Sequence, residues 1–257
     1  MLSVTSAQLE SWLALLLWPL SRVLGLITAA PILGNMRVPV RTRVGLAICI
    51  TLVVAPTLPP MPQVSPASAS GLMIVATQFL LGVAMGYTVR LVFHAVEMAG
   101  ELIGVQMGLG FAQLYDPQNH AQVTVLSQFL ALLATLTFLA MDGHLLIVRA
   151  LGESFHAMPV AAGLPPGGWS RLCAEWGTMT LRAALLISLP VVTVLLVTNL
   201  ALGILTRAAP QLNMFAVGFP LTLAVGLLAL WTSLPTVLSQ VTQITTQAIN
   251  VIPAIWQ

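Results

Sequence analysis

The sequence predicts an all-α, membrane-type chain of kinked hydrophobic helical hairpins, with about six apolar segments. Three observations carry that prediction. Of 257 residues, 58% are hydrophobic and only 6% are charged, against about 25% charged in a soluble domain. Polar surface is therefore too scarce to wrap a water-soluble globule, and the mean hydropathy of +0.98 agrees. Finally, apolar runs approach the roughly 20 residues that a spanning helix needs, and several contain a proline where a helix has to bend.

The first segment, Trp12 to Leu33, contains Pro19 and Arg22. No basic leader precedes it and other apolar segments follow, so it reads as retained rather than as a cleaved signal. Arg37, Arg41 and Arg43 cluster in the short loop after it, which the positive-inside rule makes cytoplasmic. Val44 to Met61 is the second segment. It ends in "PTLPPMP" and leads into a Pro/Ser/Ala connector over residues 63–70. Leu72 to Phe93 is the third. Residues 94–122 then read as an interrupted helix, a glycine-rich stretch and a turn.

Val123 to Met141 is the fourth segment. The mixed-charge region 142–182 holds Asp142, Arg149, Glu153, Arg171, Glu175 and Arg182. It predicts a helix, a loop at "GLPPGGW" and the entry to a second helix. Ala183 to Leu205, with Pro190, is the fifth segment, and Leu212 to Leu234, with Pro220, is the sixth. Alternation places Arg207 on the same side as the first basic loop and the chain end on the other.

Four tracts stand out chemically. Arg90, His94, Glu97 and Glu101 fall at offsets of four, three and four, a polar stripe on an apolar helix. Along one helix Arg90 with Glu97 and His94 with Glu101 can pair only loosely. Charge within a membrane costs several kcal/mol unless paired or wet, so the stripe is expected to face a partner subunit or a water-filled lumen. His-x-x-Glu with a further Glu has metal-ligating chemistry, but no second cluster completes a site, and no metal is expected.

The second tract is "GVQMGLGFAQLYDPQNHAQ", Gly104 to Gln122. Gly104, Gly108 and Gly110 permit close backbone approach or departure from helical geometry, and Asp116-Pro117 favours a turn. Met107, Leu109 and Phe111 are apolar groups able to close a passage. A surface re-entrant loop is the other reading. Third, "RAAPQLN" predicts a tight cytoplasmic turn between antiparallel helices, with Arg207 suiting a helix C-terminus, and "FAVGFP" predicts a kink shortly after it. Fourth, Ala208 to Gln257 carries no charge, yet Gln240, Gln243, Gln247 and Asn250 share one helical face.

Several function classes are excluded. No basic run or aromatic-basic patch supports nucleic-acid binding. Cys49 and Cys173 have neither disulfide nor metal spacing. No nucleophile elbow, phosphate loop or zinc-protease signature appears, so no catalysis and no cofactor are expected. A secondary transporter of a small solute shares the broken helices. Against it, no internal repeat is evident and the last 50 residues lack an ion-coupling carboxylate.

"LTRAAPQLNMFAVGFP", "GVQMGLGFAQLYDPQ" with the following "VTVLSQF", and "NMRVPVRTRVGLAI" together resemble the FliR family of flagellar type III export-gate proteins. The likeness spans essentially the whole chain. Met214 stands where isoleucine is expected, a volume-similar swap. The resemblance implies one export-gate domain over 1–257. Residues 1–182 would form a FliP-like part with a central plug loop at about 104–122, and 183–257 a FliQ-like hairpin.

It implies a plug or pore lining of Gly104, Met107, Gly108, Leu109, Gly110, Phe111, Tyr115 and Asp116. It also implies an interface at the hairpin tip, carried by Arg207, Pro210, Gln211, Asn213, Phe215, Gly218, Phe219 and Pro220. Partners would be FliP-type and FliQ-type subunits, FlhB-type and FlhA-type components, exported unfolded proteins and membrane lipid. The location implied is the bacterial inner membrane at the flagellar basal body, with the gate raised toward the periplasm. The six segments are then hydrophobic segments rather than a literal topology.

Overall fold

The computed structural model describes residues 6–34, 38–62, 64–110, 124–161, 169–210 and 214–252, except for the side chains of 6–14, 169–174 and 214–215. Among these residues all regular structure is helical. The elements are α1 (Ser6–Ala29), α2 (Val40–Val54) with a 3₁₀ turn at Ala55–Thr57, α3 (Ala69–Gln106), α4 (Val125–Ala140), α5 (Gly143–Ala157), α6 (Trp169–Ala208) and α7 (Met214–Val251).

Among the described residues, four helices are long and apolar enough to cross a membrane: Val40–Thr57, Ala69–Gln106, Glu175–Ala208 and Ala216–Val251. A fifth span exists only if α4 and α5 count as one, and they are bent by 66° at their junction. Four to five such spans are found among the described residues, and the expected six hydrophobic segments are not confirmed in number. Helices α3 and α7 have 38 residues each and α6 has 40. At about 1.5 Å per residue these are roughly twice as long as the hydrocarbon core is thick, so each extends well beyond its apolar window.

Two further expectations change. Residues 94–106 are not an interrupted helix, because α3 runs on to Gln106. Arg41 and Arg43 lie in the first turn of α2 rather than in a loop. That end of a helix disfavours cations, and Arg43 Nε is held there by donating to the Val38 carbonyl at 3.0 Å. Pro220 lies inside α7, as expected, together with Pro235, and Pro19 and Pro190 lie inside α1 and α6 in the same way. Interior prolines are common in membrane-type helices, where neighbouring groups satisfy the freed carbonyls. Region 142–182 holds α5 and the start of α6, while the expected loop at 163–168 lies outside the described residues. Asp142, at φ 56°, makes the turn into α5, a left-handed conformation that Asp tolerates better than most residues.

The chain divides into two compact units. One comprises Met1–Leu91, Asp142–Trp176 and Thr245–Gln257, the other Val92–Met141 and Gly177–Ile244. In the first unit, α1 and α3 approach with backbones nearly touching. A Cβ on Gly82 would overlap the Arg22 carbonyl, and one on Gly86 would lie 2.6 Å from the Leu26 carbonyl. Trp18, Leu26, Ile74, Met85, Leu151 and Phe155 are fully buried around this contact. In the second unit the core is Val96, Ile103, Leu130, Phe138, Ile187 and Leu195. There the Phe93 and Phe138 rings meet edge-to-face with centroids 5.7 Å apart.

Candidate functional site

The start of the glycine-rich tract is the best-defined part of the second unit. Its three glycines do different work. At Gly104 a Cβ would stand 3.1–3.2 Å from the side chain of Thr124, so this glycine admits the residue just before α4. Gly100 does the same for the Ser127 backbone, at 2.5 Å from its Cα. These close approaches compensate for glycine's poor helix propensity and explain why α3 continues where the sequence suggested a break. Ser127 Oγ donates to the Glu97 carbonyl at 2.8 Å, and Thr124 caps α4 by accepting from the Ser127 amide at 3.2 Å.

Gly108 is the exit. Its φ is 84°, a left-handed value that glycine alone adopts without penalty. The Gly108 amide donates to the Val105 carbonyl and the Leu109 amide to the Gly104 carbonyl, both at 3.0 Å. That pair of bonds is the Schellman ending of a helix. Gly110, by contrast, would meet nothing within 4 Å. Phe111, Tyr115 and Asp116 lie outside the described residues.

Met107, the residue before the exit, is 1% exposed. Its side chain packs on α7 at Gly226, and its carbonyl accepts from the Thr222 hydroxyl at 3.3 Å. Gly218, Thr222, Gly226 and Leu230 are the buried positions of that stretch of α7, four residues apart and so on one face. Neither Thr222 nor Gly226 was singled out from the sequence. The available signal was the small-x-x-x-small spacing from Gly218 through Gly226, which lets helices pack closely. Asn199 of α6 also reaches this end of α3, donating weakly to Gln106 Oε1 at 3.4 Å.

In the polar stripe, one close pair is seen. His94 Nδ1 and Glu97 Oε2 are 2.9 Å apart, each side chain 42% exposed. They stand one helical turn apart, which is the closer register. Arg90 is exposed and Glu101 partly so. Among the described residues, no three His, Cys, Asp or Glu side chains converge as a metal site.

Of the hairpin tip, Arg207 is exposed in the last turn of α6, and Pro210 is exposed just beyond it. Gln211 and Asn213 lie outside the described residues, as does the side chain of Phe215, whose backbone belongs to α7. Gly218 is buried, while Phe219 and Pro220 are exposed. On the later part of α7, Gln243, Gln247 and Asn250 are exposed and Gln240 partly so, as their shared face predicts.

The first unit holds a polar centre that the sequence flagged only as an oddity. Arg22 is 1% exposed, with no carboxylate among its bonded partners. Its Nε donates to Gln78 Oε1 at 2.8 Å, Nη1 to Ser154 Oγ at 3.1 Å and Nη2 to the Met158 carbonyl at 2.9 Å. Its guanidinium carbon lies 4.0 Å from the centroid of the Phe155 ring. Ser154 Oγ in turn donates a hydrogen bond to the Leu151 carbonyl at 2.7 Å. One side chain thus ties α1 to α3 and α5. Gln78, Ser154 and Phe155 look unremarkable in sequence, because nothing local marks them as partners of a residue so distant.

The outer faces are apolar. Leu185, Leu189, Val197 and Leu200 of α6 and Leu132 and Leu136 of α4 are all more than half exposed. Surface of this kind suits lipid or neighbouring subunits.

Comparison with known proteins matches this architecture to one family. The family model for bacterial export proteins, family 1, covers residues 13–248. The flagellar biosynthetic protein FliR of Escherichia coli (strain K12) is 46% identical over 228 residues, covering 88% of this chain and 87% of that one. FliR of Pectobacterium carotovorum subsp. carotovorum is 40% identical over 91% of this chain and 90% of its own length. FliR of Aquifex aeolicus (strain VF5) is 32% identical over 88% of this chain and 87% of its own.

Proposed function

The chain belongs to the FliR family of bacterial export proteins and is a membrane-located subunit of the flagellar export apparatus; on that premise we propose that it forms part of the channel wall and carries the stem of the channel's barrier. The observation that carries the export reading is the family match over residues 13–248. It leaves the small-solute carrier without support.

In this reading, the tract from Gly104 to Asp116 closes the resting channel. Met107, Leu109 and Phe111 supply apolar bulk, and the Gly108 exit turns the chain away from α3. The chain divides into a FliP-like part over 1–182 and a FliQ-like hairpin over 183–257, the latter formed by the apolar remainder of α6 and by α7. FliP-type and FliQ-type subunits cover the exposed leucine faces, and FlhB-type and FlhA-type components meet the assembly at its cytoplasmic side. Arg207 and Asn213 fix the hairpin tip against such a partner. The gate stands in the inner membrane at the basal body, raised toward the periplasm, and conducts unfolded flagellar proteins without catalysis of its own.

The test is deletion of Gly108–Asp116 in the gate co-expressed with its neighbouring export genes. Native mass spectrometry checks assembly, and ion conductance checks closure. A larger leak at unchanged assembly is expected. An unchanged leak in an intact assembly removes the barrier role.

A further inference from the structure

Met107 sits in a notch on α7. A Cβ on Gly226 would stand 2.7 Å from Met107 Cγ, 2.8 Å from Cε and 3.0 Å from Sδ. The thioether therefore occupies the space that any other residue at 226 would need. One turn earlier on the same buried face, Thr222 shares its hydroxyl proton between the Phe219 carbonyl at 3.0 Å and the Met107 carbonyl at 3.3 Å. That carbonyl belongs to the last turn of a helix, where intrahelical partners run out. The next residue is Gly108, the left-handed exit. The point at which the chain leaves α3 is thus held by α7 as well as by the helix it terminates.

The chemistry of the hold is specific. It is a flexible, polarisable knob in a hole without a side chain, supported by one long hydrogen bond. Methionine has three rotatable side-chain bonds and repacks easily. A β-branched residue has essentially one rotamer in a helix. Met107 can therefore unseat by rotation about its own bonds, with no helix needing to unwind.

We propose that Thr222 and Gly226 are positioning residues for the channel barrier: they seat Met107, and through it the stem of the glycine-rich tract, so that a shift of α7 against α3 releases the stem. The proposal rests on the reading of that tract as the barrier. It adds that the barrier's position is set by the C-terminal helix, not only by the tract's own residues.

Three gates, each co-expressed with the partner subunits, test it: Gly226→Leu, the double variant Gly226→Leu with Met107→Ala, and the Gly108–Asp116 deletion. Each is assayed for assembly by native mass spectrometry and for ion leak. Gly226→Leu overfills the notch and is expected to raise the leak about five-fold or more at equal assembly. The double variant exchanges the filling side chain across the same notch and is expected to restore the leak to near wild type. Should Gly226→Leu prevent assembly, recovery of assembly in the double variant supports the seat, and failure to recover overturns it. An assembled Gly226→Leu gate that does not leak, beside a deletion that does, overturns the seat and leaves the barrier intact. A deletion that does not leak removes the barrier reading itself.

Discussion

The two compact units each hold their helices together at one unusual joint, and the joints are built on opposite principles. In the first, Arg22 reaches from α1 to α3 and α5 through three directed hydrogen bonds and a contact with the Phe155 ring. In the second, Met107 of α3 fills a glycine notch on α7, with one long bond from Thr222. A buried guanidinium has few alternative arrangements, because every broken bond leaves a desolvated donor or acceptor. A buried thioether has several of similar energy. The difference suits one unit to rigidity and the other to a reversible fit beside the tract that leaves α3.

The largest expected effect breaks the first joint. Arg22→Ala strands Gln78 Oε1 and the Met158 carbonyl, takes a donor from Ser154 Oγ and opens a cavity beside Phe155. It should destabilise the protein by about 3 kcal/mol or more, read as a lowered thermal unfolding temperature of the detergent-extracted assembly. Arg22→Met with Gln78→Leu replaces the polar joint with an apolar one and should recover most of that loss. If Arg22→Ala leaves the unfolding temperature unchanged, the contrast between the units collapses.

An intermediate effect sharpens the second joint. Gly108→Ala keeps the seat of Met107 but forces a Cβ into φ 84°. A penalty of about 1–2 kcal/mol is expected at the exit. Accelerated amide exchange at Val105–Leu109, with the core of α3 still protected, is the measurement. Uniform exchange along α3 would contradict a local role for this glycine.

The smallest effect comes from the first unit's surface. Arg149 Nε and Glu153 Oε1 are 2.9 Å apart, with side chains 77% and 50% exposed. Arg149→Ala should cost no more than about 0.5 kcal/mol and should lose even that in high salt. A larger change would mean that a partner subunit covers this pair.

Much of the architecture was legible without coordinates. Helices follow from long apolar runs in a chain with almost no charge, and the mixed-charge stretch at 142–182 announced a connection. The polar face of α7 followed from the spacing of Gln243, Gln247 and Asn250. The errors came where local propensity met tertiary packing. Residues 94–106 read as part of an interrupted helix, yet α3 runs through them, with Gly100 and Gly104 making room for Ser127 and Thr124.

By itself, then, the sequence determined the solvent this protein lives in, its helical class and its family, because composition and long motifs are properties of the chain alone. It also marked Gly108 as a place where the helix could end, since only glycine occupies that φ freely. Which glycine ends α3, which ones admit a neighbour, and which holds Met107 were decided in three dimensions. The same was true of Arg22, whose partners lie 56 to 136 residues away along the chain. Close approach and hydrogen-bond satisfaction depend on what packs opposite a residue, and no local pattern encodes that.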